Sequence, residues 1–271
     1  MTGSHRLSGS EPLLELRGVG FRYGERSVLA GVDLRLGAGE RVALIGPNGA
    51  GKTTLLHLLV GLQVPATGEV RAFGQVRRAE ADFHEVRTRV GLLFQDPDDQ
   101  LFCPTVLEDL AFGPLNLGRS PAQARADAER TLELLGLSGF ADRVTHRLSA
   151  GEKRLVALGT VLAMAPQVLL LDEPTNGLDE TTEARLTDYL VAAPQAMLIV
   201  SHDRRFLERL ATRALVLEAG RIAEARVHRH PHSHSHSHLH IHVPGEPAEH
   251  GPGAPPHGDH HAADLEDTDR P

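Results

Sequence analysis

RVALIGPNGAGKTTLLHLLVGL, residues 41–62, decides the fold. The apolar run from Val42 to Ile45 reads as a strand, and the leucine-rich segment from Lys52 onward reads as a helix. Between them, Gly46-Pro47-Asn48-Gly49-Ala50-Gly51-Lys52-Thr53 fits G-x-x-x-x-G-K-[ST] in the strand–turn–helix setting that this pattern requires. Glycines allow successive main-chain N–H groups to converge on phosphate oxygens, and the helix N-terminus adds positive partial charge. In such a loop Lys52 reaches the β- and γ-phosphates and the Thr53 hydroxyl ligates Mg²⁺, with Thr54 beside it. The plain alternative is a glycine turn before a helix.

A second run, Val168-Leu169-Leu170-Leu171-Asp172-Glu173, is an apolar strand that ends in two carboxylates. Asp172 is the candidate holder of Mg²⁺, and Glu173 the candidate general base that polarises an attacking water. Outward from these two runs, strands alternate with helices: MLIVSH, then DRRFLERL, then ALVLEAG and RIAEAR. That alternation implies an α/β fold with a mostly parallel sheet covered on both faces. The N-terminal LLELRGVGFRY and SVLAGVDLRL read as a separate β region. From about Asp96 to Arg147 the texture is helical, and Ser120-Pro121-Ala122-Gln123 reads as a capping box with proline at the first helical position.

The chain has 271 residues, 41% of them hydrophobic, enough for one large domain plus a tail. Its single cysteine, Cys103, excludes a disulfide framework and points to a reducing compartment. No signal peptide is visible, and no segment approaches the roughly 18 apolar residues needed to span a bilayer, so the expectation is a chain soluble alone. The net charge is -8, of which residues 246–271 carry -6 through seven acids and one arginine. The near-neutral body speaks against nucleic-acid binding.

With five further motifs in order, the chain from about Leu13 to Ala225 resembles the ATP-binding cassette (ABC) ATPase family. The resemblance implies a P-loop cassette with a RecA-like core, an antiparallel β subdomain and a helical signature subdomain. Its ligands would be ATP and Mg²⁺, and its reaction ATP hydrolysis. Tyr23 sits where the family stacks an aromatic ring on adenine. Gln95 matches the glutamine that senses Mg²⁺ and the γ-phosphate and links to the helical subdomain. Leu148-Ser149-Ala150-Gly151-Glu152 resembles the signature LSGGQ, with alanine and glutamate replacing a glycine and the glutamine; Ser149, Gly151 and Glu152 would face a γ-phosphate. Gly177-Leu178-Asp179 resembles the D-loop, and His202 the switch histidine. The family arrangement implies that the signature completes the site of a second cassette, in a homodimer or a heterodimer.

Finer resemblances lie in FQDPDDQLF (94–102), PTV (104–106), AFGPLN (111–116), LSAGEKR (148–154) and VLAMAPQVLLLDEPTNGLD (161–179). They resemble ATPases of energy-coupling-factor importers, whose substrates are transition metals or vitamins. This implies a place on the cytoplasmic face of the cell membrane, with a transmembrane coupling protein and a substrate-binding membrane component as partners. The leading expectation is a cobalt or nickel importer, on the strength of the histidine-rich tail; the alternatives are a vitamin importer, a soluble cassette acting on other machinery, and a metal-binding protein with a regulatory nucleotide site.

The expected domains are a disordered leader at 1–10, the ATPase domain at 11–226 with its helical subdomain at about 96–150, and a disordered tail at 227–271. The tail is histidine-rich, then acidic. His230, His232, His234, His236, His238, His240 and His242 alternate with other residues, so an extended chain would put them on one face. They are candidate ligands for Ni²⁺ or Co²⁺; incidental metal binding by an unselected tract is the alternative reading.

Overall fold

The computed structural model describes residues 11–231 and 237–242. Two sheets share one framework. The first is antiparallel, in the order β2 (Arg26–Leu36), β1 (Leu14–Tyr23), β4 (Thr67–Ala72), β5 (Gln75–Arg77). The second has seven strands in the order β11 (Ser237–His242), β10 (Arg221–Pro231), β9 (Arg213–Glu218), β3 (Arg41–Ile45), β8 (Ala196–Val200), β7 (Val168–Asp172), β6 (Val90–Leu93). From β9 to β6 every neighbouring pair is parallel.

The parallel strands are apolar throughout because both faces are covered. All five residues of β7 and all five of β8 are buried. Alternate side chains of β7 enter different cores. Val168 and Leu170 pack with the antiparallel sheet and α1 (Lys52–Leu59), whereas Leu169 and Leu171 pack with the helices on the opposite face. Truncating any of these leucines to alanine would cost about 2–5 kcal/mol.

Helices α3 (Val106–Asn116), α4 (Pro121–Leu134) and α5 (Ala150–Leu162) form the helical subdomain. Ser120 and Gln123 make the expected reciprocal capping box on α4. Thr105 and Glu108 make another on α3, which was not anticipated. Helices α6 (Glu180–Ala192) and α7 (Arg204–Leu210) follow β7 and β8. Helix α2 (Asp82–Arg89) was also not anticipated, for it buries only Phe83 and Val86. It is held from outside its own sequence: buried Arg77 bonds the Asp82 carbonyl and the Glu85 carboxylate.

The tail expected at 227–271 meets the described residues at 227–231 and 237–242. The backbone of 226–231 pairs antiparallel with 237–242, with His230 opposite His238 and His228 opposite His240. In SHLHIH apolar Leu239 and Ile241 alternate with histidines, a strand period. His232, His234 and His236, and the leader at 1–10, lie outside the described residues.

This topology places the chemistry. The carboxyl ends of β3, β8, β7 and β6 lie side by side, and they carry respectively the glycine loop, His202, the Asp172–Glu173 pair and Gln95. Ligands of open parallel sheets bind at this edge.

Candidate functional site

A cleft of about 750 Å³ opens at that edge, lined by Tyr23, Asn48, Gly49, Gly51, Lys52, Thr53, Thr54, Gln95, Asp172, Glu173 and His202. Two glycines make the loop feasible. A Cβ at Gly46 would lie 2.2 Å from the Leu217 carbonyl oxygen. At Gly51, the residue that caps α1, φ is 104°, and a Cβ would meet Val28 at 2.8 Å. The loop can therefore close around main-chain amides only with hydrogen at both positions. Inside it, Lys52 Nζ donates to the carbonyls of Gly46 and Pro47 at 2.8 and 3.0 Å. Ala50 N–H donates back to Pro47 at 3.2 Å and tightens the turn.

Thr53 Oγ1 donates to Asp172 Oδ2 at 2.6 Å. A hydroxyl and a carboxylate this close can enter one coordination sphere, and an all-oxygen donor set suits Mg²⁺. Thr53 and Asp172 would hold the ion, with Gln95 at the rim; Mg²⁺ there would offset phosphate charge. Asp172 is 2% exposed and Lys52 9%. Burial raises the Asp172 carboxyl above its ordinary range, against the Thr53 hydrogen bond. Burial also lowers the Lys52 ammonium, against the pull of Glu173 and Asp172. Both charges are short of solvation, the condition that a polyphosphate with its cation would relieve.

Glu173 is the first residue past β7 and adopts φ 50°, a left-handed conformation that is costly for a side-chain-bearing residue. Its N–H still bonds Val200 at 2.8 Å, so the kink turns the carboxylate without breaking the sheet edge. Burial raises this carboxyl too, opposed chiefly by the hydrogen bond from the His202 main-chain N–H, at 3.3 Å. The His202 ring Nε2 lies 3.4 Å from the other carboxylate oxygen. A partly desolvated carboxylate beside a donor and a phosphate cradle can accept a proton from water.

Tyr23 is 50% exposed at the mouth of the cleft. Its ring packs edge-on against Phe21 with centroids 4.8 Å apart, and its hydroxyl reaches Thr54 Oγ1 at 3.5 Å. Gln95 lines the cleft, while its backbone is held from α5: Arg154 donates to the carbonyls of Phe94 and Gln95 at 2.9 and 2.6 Å. Sequence reasoning missed Arg154. The available signal was a basic residue immediately preceding the apolar run Leu155–Leu158.

Ser149, Gly151, Glu152 and Asp179 are not brought to this cleft. They line a second one of about 920 Å³ that shares no lining residue with the first. Ser149 caps α5 through a capping box with Glu152, whose carboxylate also pairs with Arg143 at 2.9 Å. Asp179 caps α6 by accepting from the N–H groups of Thr181 and Thr182. Ala150 is exposed and helical, so the signature's missing glycine leaves no backbone strain behind.

The ABC transporter family model matches residues 29–176. A provisionally named ABC transporter ATP-binding protein of Brucella suis biovar 1 (strain 1330) is 56% identical over 219 residues, 81% of this chain and 91% of that protein. The nickel import ATP-binding protein NikO of Rhodobacter capsulatus is 46% identical over 226 residues, covering 79% of this chain and 89% of its own length. The solved structure of cbiO1 from Clostridium perfringens, part of the ABC transporter complex cbiONQ, superposes with a TM-score of 0.69 at 30% identity over 79% of this chain and 87% of that one. The chain belongs to the ABC transporter family, as an ATP-binding cassette that binds ATP with Mg²⁺ and hydrolyses it. Among the described residues no helix is long and apolar enough to cross a membrane.

Proposed function

We propose that this cassette is the ATPase subunit of an energy-coupling-factor importer that takes up a transition-metal cation, cobalt or nickel, through transmembrane partners. The observation that carries a membrane partner is an apolar groove behind Gln95, between β6 and the helices α3 and α5. Leu62, Phe94, Phe102, Phe112 and Met164 line it. Phe102 is 65% exposed, and its ring meets that of Phe112 edge-on at 4.8 Å. Two exposed aromatics over an apolar floor suit a partner helix. The groove falls within FQDPDDQLF and AFGPLN, the stretches that resemble importer ATPases. The likeness to a nickel import protein supports a metal substrate, and the likeness to a part of an ABC transporter complex supports partner subunits.

In this reading Lys52 and the loop amides hold the triphosphate, Thr53 and Asp172 hold Mg²⁺, Glu173 takes the proton of the attacking water, and His202 positions the γ-phosphate. Tyr23 packs against adenine. Ser149, Gly151, Glu152 and Asp179 serve the nucleotide of a second cassette, head to tail. The chain sits at the cytoplasmic face of the membrane, and the histidine tract collects metal near the entry site. No part of this requires nucleic acid.

Two measurements test it. Radiolabelled nickel or cobalt should enter cells that express the chain with its neighbouring membrane proteins, and Lys52→Ala should abolish entry; vitamin uptake in place of metal would overturn the substrate assignment. Titration calorimetry should find several Ni²⁺ bound by the full chain and none by residues 1–226; equal binding would remove the tail's role.

A further inference from the structure

We infer that Arg154 is a positioning residue: from the signature helix α5 it grips the backbone of Gln95 and so sets where that side chain stands in the nucleotide cleft. This rests on the reading of that cleft as the ATP site.

Arg154 is 5% exposed, and no carboxylate lies within ion-pair distance of it among the described residues. Burying a guanidinium without a counter-ion is expensive, and an apolar side chain could fill the same space at no such penalty. Its hydrogen bonds indicate what the charge is for. The β6 ladder ends at Leu93, so the carbonyls of Phe94 and Gln95 have left the sheet. The planar guanidinium takes both, at 2.9 and 2.6 Å, a two-carbonyl grasp that suits a fork and not a point charge. Its third nitrogen, Nε, is buried with no hydrogen-bond partner among the described residues. Burial holds the guanidinium below its ordinary range, opposed by the charges of Asp96, Asp172 and Glu173 at longer range.

The neighbouring contacts extend the same clasp downstream. Lys153 Nζ meets Asp98 Oδ1 at 2.6 Å. Gln100 donates to the Ala157 carbonyl and to Thr160 Oγ1, both at 2.7 Å, while its own oxygen accepts from Phe94 N–H at 3.2 Å. Segment 94–100 is thus fastened along one flank of α5, and Arg154 is the group that holds the residue entering the cleft. Displacing the N-terminal turns of α5 would drag the Gln95 carbonyl with them. Shape alone would not do this, because a packing residue without donors lets the loop slip.

The test uses the full chain with Arg154→Met, Arg154→Lys and Gln95→Ala. In the nucleotide-free protein, Arg154→Met should speed hydrogen exchange of amides in 94–101 by about tenfold, the scale of one lost charge-assisted hydrogen bond, while α6 amides stay unchanged. In ATP hydrolysis it should lower kcat by about tenfold with KM within about threefold. In the Gln95→Ala background the same substitution should change kcat by less than about twofold, because its route of action is already gone. Arg154→Lys, with one ammonium for two carbonyls, should fall between; the same cycle is run on it if the methionine variant does not fold. Equal factors in both backgrounds, a loss in KM alone, or unchanged exchange at 94–101 would overturn the inference. A wild-type chain that hydrolyses no ATP would instead overturn the site reading, leaving the exchange experiment as the measure of Arg154.

Discussion

The two clefts are built on opposite principles. The phosphate-loop cleft gathers groups held against their preference: a buried ammonium, one buried and one half-buried carboxyl raised by desolvation, and Glu173 in a left-handed backbone conformation. The signature cleft gathers groups already content: Ser149, Glu152 and Asp179 each complete a helix cap, and the Glu152 carboxyl is held low, first by the hydrogen bond from the Ser149 N–H. One side has unmet electrostatic demand that a charged ligand can satisfy. The other offers an ordered, largely exposed face that needs nothing from its own chain. Substitutions on the first should therefore cost chemistry without costing stability; on the second they should cost stability, and leave nucleotide binding by the isolated chain untouched.

The largest effect falls on Glu173→Gln. Removing the base should lower phosphate release by about a thousandfold while ATP binding persists. Stability should move the other way. A carboxyl raised on folding adds stability below its unfolded pKa and loses it as pH rises through the folded value. The variant, neutral throughout, should therefore gain on the wild type in Tm between acidic and neutral pH. A Tm that falls at neutral pH would place Glu173 among the satisfied groups and break the contrast. The same variant should form an ATP-dependent dimer on gel filtration; a monomer would overturn closure by this chain alone.

Next comes Ser149→Ala, which removes the α5 cap. It should cost about 1 kcal/mol, a Tm loss of about 2–4 °C by calorimetry. Equilibrium binding of ATP to the isolated chain should be unaffected, because Ser149 does not line the phosphate cleft. Weakened binding in the monomer would show that the clefts are not independent.

Smallest is Ala150→Gly, which restores the glycine of the family signature. Ala150 is already helical and exposed, so the change should lower helix stability by at most about 1 kcal/mol and leave turnover within about twofold. A large gain in turnover would show that the alanine methyl obstructs an incoming nucleotide, sharpening what this face must accept.

Sequence reading succeeded where the cause is local and failed where it is not. The glycine loop, the strand Val168–Asp172 and the Ser120 capping box each declare themselves within a few residues. Helix α3 declared itself equally through Thr105 and Glu108, and that signal was available but unread. Helix α2 and the role of Arg154 were illegible in a different way. The first depends on Arg77 from β5, and the second on carbonyls some 60 positions away along the chain. The placement of Ser149 away from Lys52 was legible through family resemblance and that of Asp179 was not read, since no spacing in the chain reveals which face a loop occupies.

That separation has a kinetic signature. On the proposed reading, a chain with Lys52 in one hollow and Ser149 in another needs a second copy to complete its site, so output per molecule should fall on dilution. At the lowest concentrations the total rate should scale with the square of the amount present. Tethering two copies on one polypeptide should abolish that dependence, and anything in the cell that crowds the chains side by side would act as an activator.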